Sequence, residues 1–446
     1  MPKPIYERTL RAPAFVYRRT AGNDASSLFC EQVELARLAA RYGTPLYVYS
    51  AESMRARLHA FDTAFRSIPH TICYSVKANS TLAILRLVAA QGAGFDVVSG
   101  GELERVLRVK TAWGGHSRRP DARKRIAPIV FSGVGKTVPE MELALASNIL
   151  LFNIESASEL ETLAAAAARL KKRASVALRV NPDVSARTHP YISTGLHEHK
   201  FGVPISEARR LYAEAAKHSS LRVAGVSVHI GSQITDLTSF TDALHRVAAL
   251  VRDLRRARHT ISYVDAGGGL GIPYDAKQEG FAELVTGYAG AVIDPLRQLG
   301  VHLLLEPGRS IVGPAGVLLT RVLYRKQNNG KRFLIVDAAM NDLLRPSLYG
   351  AHHEIVPVSR AAQRGTELTD IVGPICETGD FFGRDRELPI TEEGSLLAIL
   401  DTGAYGAVLA SNYNTRGRPA EVLVDGADAR VIRKREAIRD LLRGET

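Results

Sequence analysis

Tyr74-Ser75-Val76-Lys77-Ala78-Asn79 closes a β-leaning run that begins at Thr71, and small and amide residues follow before Leu82-Ala83-Ile84-Leu85 opens a helical pattern. Lys77 therefore stands where a strand hands over to a loop. In a parallel α/β fold that edge collects ligands and catalytic side chains, so a lone lysine there is a candidate nucleophile. Its amine attacks carbonyls only when neutral, and desolvation moves its pKa in that direction. A strand-end lysine reaching into water is the plainer alternative, and the hexapeptide alone does not choose between them.

Working outward, seven more apolar runs follow: Gly94 to Val98, Pro128 to Phe131, Leu150 to Ile154, Ser175 to Val180, Val223 to His229, Ile261 to Asp265 and Val301 to Leu305. Helical patterns near 51–66, 80–91, 101–110, 138–147, 156–172, 205–217, 237–257 and 280–298 alternate with them. Eight strands and eight helices over about 260 residues suit a (β/α)8 TIM-like barrel better than an open doubly wound sheet. After about residue 310 the pattern changes. Runs at Val317 to Tyr324, Phe333 to Val336, Leu396 to Leu400 and Glu421 to Val424 are separated by turns, which reads as a β-sandwich or β-barrel module. Ahead of the barrel lie a short β-like piece, Phe15-Val16-Tyr17, and a helical pattern over Val33 to Ala40 closed by Gly43 and Pro45. The expected organisation is an N-terminal segment, 1–44, packing with the β module; a barrel, 45–309; and a C-terminal β domain, 310–446.

Composition bounds the classes. The chain of 446 residues is 46% hydrophobic and 23% charged, values of an ordinary globular protein. No apolar run reaches the roughly 18 residues of a membrane helix, and Met1-Pro2-Lys3-Pro4 lacks the apolar core of a signal peptide. A cytoplasmic protein without a membrane partner is expected. Cys30, Cys73 and Cys376 are far apart and have no metal-ligand spacing, which argues against a disulfide framework and a zinc site. The net charge of +12 is concentrated: eight Lys/Arg and one acid fall between Arg105 and Arg125, interrupted by Trp113-Gly114-Gly115 and Pro120. That pattern reads as an exposed basic loop, not a nucleic-acid surface.

In such a barrel the active site lies at the C-terminal ends of the strands, and the polar residues there cohere. Lys77 ends the first strand, Asp96 lies in the second, and His229 ends the sixth. Gly267-Gly268-Gly269 follows the seventh, and Glu306-Pro307-Gly308-Arg309 follows the eighth. Glycines let backbone N–H groups approach an anion, and the loops after strands seven and eight are the usual phosphate site of these barrels. A strand-end lysine, an imidazole, a phosphate cradle and a carboxylate at one mouth describe a site for pyridoxal 5'-phosphate. The lysine forms the imine, His229 stacks on the ring, the glycines hold the phosphate and Glu306 pairs with the pyridine nitrogen. Taken singly, each has a duller reading: a core histidine, a turn, a rim ion pair. Ser132-Gly133-Val134-Gly135-Lys136-Thr137 resembles the end of a P-loop, but Val130 stands where that motif needs a glycine, so it reads as a strand-to-helix turn.

These motifs, together with His229-Ile230-Gly231-Ser232-Gln233, Cys376-Glu377-Thr378-Gly379-Asp380 and Gly403-Ala404-Tyr405, resemble the ordered motifs of the barrel-type (fold type III) pyridoxal phosphate-dependent decarboxylases. Met340 to Tyr349, and Asn181-Pro182-Asp183 through His199-Lys200-Phe201-Gly202, resemble the diaminopimelate decarboxylase family in particular. The resemblance runs from about Gly43 to Val424; the basic segment near 111–127 is longer than the family's pattern. It implies Ser232, Gly268, Glu306 to Arg309 and Tyr405 as phosphate or ring contacts. It also implies Cys376 as the acid that protonates the substrate carbon after CO2 leaves.

Cys376 and Glu377 lie about 70 residues beyond the last barrel strand, so a site that uses them receives them across a domain interface or from a second chain. The resemblance favours the second, a homodimer with each site completed in trans. A diamino dicarboxylic acid carries a distal ammonium and carboxylate. Glu377 supplies an anion for the first; Arg309 and Arg345 supply bidentate donors to the second, with the hydroxyl of Tyr349 beside them and Tyr405 among the substrate contacts. The expected reaction is decarboxylation of meso-2,6-diaminopimelate to L-lysine. Kept open beside it are a decarboxylase of the ornithine or lysine type, an amino-acid racemase and a non-catalytic relative that only binds the cofactor.

Overall fold

The computed structural model describes residues 15–19, 26–109, 127–184, 200–274, 280–360 and 365–446. The basic stretch beyond Val109, the middle of the stretch from Asn181 to Gly202 and parts of the N-terminal segment lie outside the described residues. Two compact units divide the chain: one is Arg57–Ile272 with Glu279–Ser310, the other Met1–Ala56 with Pro273–Gln278 and Ile311–Thr446.

In the first unit, helices and strands alternate in the expected rhythm. The helices are α1 (Ala51–Phe65), α2 (Leu82–Ala90), α3 (Gly100–Arg108), α4 (Val138–Ala146), α5 (Ala157–Arg169), α6 (Ile205–Lys217), α7 (Thr238–Arg256) and α8 (Phe281–Leu296). The strands are β1 (His70–Ser75), β2 (Gly94–Val97), β3 (Ile129–Phe131), β4 (Leu151–Ile154), β5 (Ala174–Asn181), β6 (Leu221–Val228), β7 (Tyr263–Asp265) and β8 (His302–Leu305). Each strand pairs in parallel with the next and β8 pairs with β1, so the sheet closes as a (β/α)8 barrel. The helix starts carry their own signals. Ser99 and Ser156 accept from the N–H groups of Glu102 and Glu159 to cap α3 and α5, and a Thr137–Glu140 capping box opens α4.

The barrel interior is layered. Cys73, Val130, Leu151, Ala177, Ala224 and Leu304 form a buried apolar plug. Side chains alternate along a strand, so the residue two positions further points the same way. For five of the six, those positions hold Ser75, Ser132, Asn153, Arg179 and Glu306, all buried; past Ala224, where β6 has a register shift, the position holds Val226. Asp96, Ser227 and Asp265 add one polar residue each from β2, β6 and β7. Eight polar residues, one from or just past each strand, therefore overlie the plug at the C-terminal ends of the strands.

The second unit is built on strands. In its main sheet the order is Phe381–Pro389, Thr366–Val372, Lys331–Val336, Gly316–Asn328, Leu46–Ser50, Ala420–Asp425 and Asp428–Arg433. Leu396–Ile399 also pairs with Gly316–Asn328. A smaller sheet joins Phe15–Arg19, Ser26–Cys30 and Ser359–Arg360. One apolar cluster, including Phe15, Leu28, Leu46, Val48, Val317, Leu319, Val422 and Val424, holds these pieces together. The helical pattern expected from Val33 begins at Leu35, because Val33 and Glu34 are drawn into a short strand against Phe29 and Cys30.

Candidate active site

Lys77 sits in a single 3-10 turn, Val76–Ala78, immediately beyond β1, so the strand end and the turn together aim it at the barrel mouth. Its Nζ lies 3.0 Å from Oδ2 of Asp96, and the Ser75 hydroxyl donates to the same oxygen at 2.9 Å. Asp96 is fully buried and Lys77 about one-third exposed. Gly308 lets the loop after β8 press onto this turn: a Cβ there would stand 2.9 Å from Ala78 Cβ and 3.0 Å from Ser75 Cβ. Loops one and eight are thereby packed in direct contact.

Glu306 and Asp265 are buried neighbours in this polar layer. Ser132 Oγ donates to Glu306 at 3.3 Å; Asp265 accepts from Asn153 at 2.6 Å and from the N–H of Gly267 at 2.9 Å. Burial, then the neighbouring Asp265 and Asp96 carboxylates, push Glu306 well above the usual carboxylate range. Burial likewise raises Asp265. Such a carboxyl ionises when a cation is brought against it.

His229 follows β6 directly. Its Nδ1 accepts from the N–H of Gly268 at 3.2 Å, which leaves the ring proton on Nε2. Burial, with the charges of Arg179 and Lys77 acting the same way, holds the imidazole well below its ordinary pKa, so the ring is neutral. Two of the three glycine N–H groups, those of Gly267 and Gly268, are therefore engaged within the loops. Gly267 and Gly269 adopt φ of 67° and 98°, which glycine tolerates without strain. Arg309, buried, donates from Nη2 to Ser232 Oγ at 3.0 Å, setting a guanidinium beside a hydroxyl. Lys136 of the P-loop-like stretch is spoken for: its Nζ donates to Gly133 O, Asn153 O and Glu159.

The remaining expected residues belong to the strand-built unit. Arg345 and Tyr349 lie four apart on the short helix Arg345–Tyr349, hence on one face. Cys376 and Glu377 are exposed on the loop between Thr366–Val372 and Phe381–Pro389. Asp380 shapes that loop by accepting from the N–H groups of Met340 and Ile375, each at 2.7 Å. Ser347 Oγ donates to Gly379 O at 2.6 Å, so the short helix and the loop are tied. Asn414 accepts from the N–H of Cys376 at 3.1 Å, and the Tyr413 hydroxyl donates to Glu377 at 3.0 Å. Tyr405 is held at φ 56°, a left-handed conformation that a bulky residue adopts only under constraint from its surroundings.

Sequence reasoning passed over Asp265, Ser132, Asn153 and Arg179 as site residues. Their signal was present: each is the polar residue two places after an apolar one near a barrel strand's end. Among the described residues there is no cluster of three His, Cys, Asp or Glu side chains able to hold a metal, and no helix is long and apolar enough to cross a membrane.

Comparison with known proteins fits this geometry. The profile described as "Pyridoxal-dependent decarboxylase, pyridoxal binding domain" matches residues 51–313. A diaminopimelate decarboxylase of Pseudomonas aeruginosa is 50% identical over 421 residues, 94% of this chain and 97% of that protein. Among solved structures, the diaminopimelate decarboxylase of M. jannaschii in co-complex with L-lysine superposes with a TM-score of 0.88 at 36% identity, covering 98% of this chain and 99% of the other. That of Helicobacter pylori complexed with L-lysine gives 0.85 at 41% identity, covering 92% and 98%. A pyridoxal-binding profile on the barrel, and relatives whose likeness runs through both units, lead to one assignment: the chain belongs to the diaminopimelate decarboxylase family of pyridoxal-dependent decarboxylases.

Proposed function

We propose that the protein is a pyridoxal phosphate-dependent carboxy-lyase that converts meso-2,6-diaminopimelate to L-lysine and carbon dioxide, the last step of lysine biosynthesis. The observation that carries this reading is the end-to-end, half-identical match to diaminopimelate decarboxylases. The polar layer of the barrel mouth fits the cofactor's needs. It offers an amine at Lys77, a neutral ring at His229, and an anion-binding pair at Ser232 and Arg309. At Glu306 it offers a buried carboxyl that ionises readily only beside a cation such as a pyridinium.

In this reading Lys77 attaches the cofactor, Asp96 holds the lysine in place, and His229 lies against the ring. Ser232, the glycines 267–269, Gly308 and Arg309 surround the phosphate, Glu306 holds the ring nitrogen, and Tyr405 contributes a hydroxyl. When bound, the cofactor supplies an electron sink for the pair left at the substrate's α-carbon as the carboxylate departs. Cys376 then donates its thiol proton to that carbon. At the far end of the substrate, Arg309 and Arg345 face the second carboxylate with Tyr349 and Tyr405 beside them, and Glu377 faces the second ammonium. Cys376 and Glu377 come from the partner of a homodimer, so that each site is completed in trans, and the enzyme works in the cytoplasm.

Measuring CO2 release from the purified, cofactor-loaded protein across diaminopimelate, lysine and ornithine tests the reading. Selective release from diaminopimelate is expected. Preference for lysine or ornithine overturns the substrate, and inversion of chirality without CO2 release points to a racemase.

A further inference from the structure

Arg345 is 5% exposed, and against it lies His353, which is fully buried. Arg345 Nη1 and His353 Nε2 are 2.8 Å apart, and His353 Nδ1 is 2.7 Å from the carbonyl oxygen of Leu400. A carbonyl only accepts and a guanidinium only donates. Nδ1 therefore carries the proton, and Nε2 is a bare lone pair turned to the arginine. The ring of Tyr274 packs edge-on to His353 at 5.8 Å and lies 5.6 Å from the Arg345 guanidinium carbon, closing the other side. One N–H of a long, rotamer-rich arginine side chain is thus held by a neutral acceptor, which brings no negative charge to the guanidinium.

We propose that His353 is a specificity-determining positioning residue: it orients Arg345 so that the guanidinium engages the distal carboxylate of the substrate. This rests on the role given to Arg345 above. A carboxylate in the place of His353 would hold the arginine equally well but would neutralise the charge that a dicarboxylic substrate requires.

The test uses two variants and a pair of ligands. Asn at 353 imitates Nδ1, keeping the bond to Leu400 and losing the acceptor; Gln imitates Nε2 and keeps an acceptor for Arg345. L-Lysine, the product, retains the distal ammonium and carboxylate, whereas 1,5-diaminopentane lacks the carboxylate. Loss of one hydrogen bond to a charged group corresponds to about tenfold in affinity. H353N is expected to raise KM for diaminopimelate and Ki for L-lysine by about that factor, with kcat changed by less than about threefold and Ki for 1,5-diaminopentane unmoved. H353Q is expected to restore most of the loss. Equal weakening of both inhibitors, or no rescue by H353Q, overturns the proposal. If R345A weakens L-lysine while H353N does not, the positioning role fails and the arginine's role stands; if R345A weakens neither, the arginine's role itself fails. Should H353N not fold, 15N NMR of the wild-type imidazoles decides: a protonated Nε2 on His353 at neutral pH overturns the proposal.

Discussion

Lys77 and Asp96 form an ion pair across neighbouring barrel strands, with 3.0 Å between Nζ and Oδ2 and the carboxylate wholly removed from solvent. The buried charge is matched by one ammonium and one hydroxyl, that of Ser75, so the lysine is oriented before any cofactor arrives. Borohydride treatment of the loaded enzyme should fix the cofactor to a single peptide containing Lys77, and a labelled peptide without that residue would remove the assignment. Asp96→Asn should lower kcat/KM by about ten- to a hundredfold, the equivalent of one to two steps of 1.36 kcal/mol.

Sharing of the site between two copies can be measured directly. Lys77→Ala and Cys376→Ala chains should each be inactive. Mixed under conditions that exchange subunits, they should regain a substantial part of wild-type activity, because some hybrid sites combine an intact Lys77 with an intact Cys376. Exchange verified by mass with no activity recovered would argue for sites completed within one chain.

Replacing Arg345 by Ala should reduce turnover of diaminopimelate far more than any residual turnover of lysine, which presents no carboxylate at its far end. Steady-state kinetics on both substrates provide the comparison. Equal losses on the two would remove Arg345 from distal recognition.

Asp342 offers a pH prediction with a fixed sign. Its carboxylate accepts from the N–H of Ala339 and from Asn341 Nδ2, but burial outweighs these bonds and pushes its pKa up from 3.8 to about 7. The folded state therefore keeps a proton that the unfolded chain has already lost. This contribution is fully present below about pH 4 and disappears as pH rises through about 7, on the order of 4 kcal/mol over the window. Denaturant titrations between pH 4 and 8 should show Asp342→Asn losing less stability with rising pH than the wild type. Parallel pH profiles for the two would exclude the effect.

The barrel was legible because its strands are buried on both faces and so read as short, unbroken apolar runs between amphipathic helices. Lys77, His229 and Glu306 stand just past the ends of β1, β6 and β8, where the pattern places them. Leu46–Ser50 was not legible: it is equally buried and is followed by a helix, as a barrel strand would be, yet its partners Gly316–Leu319 and Ala420–Val424 are hundreds of residues away. No local pattern encodes such pairing. His353 was hidden for a related reason. In the run His352-His353-Glu354 nothing distinguishes the imidazole that meets Arg345 from its exposed neighbour, and the acceptor role emerges only when Leu400 takes the other nitrogen.

The position of Leu46–Ser50 between strands from the far end of the chain has a consequence during synthesis. The hydroxyl of Tyr49 donates to Glu421, 372 residues later, so at about 5–20 residues per second the nascent strand waits on the order of 20 to 75 s for that partner. Until Gly316–Leu319 emerges to cover one edge, the ribosome displays Leu46-Tyr47-Val48-Tyr49, a run that the finished protein buries completely. The barrel strands, by contrast, can all be paired before the last quarter of the message is read. An interrupted product ending between Leu319 and Ala420 would carry a completed barrel sequence and a strand with one edge left unpaired, a natural target for holdase chaperones and for proteolytic clearance.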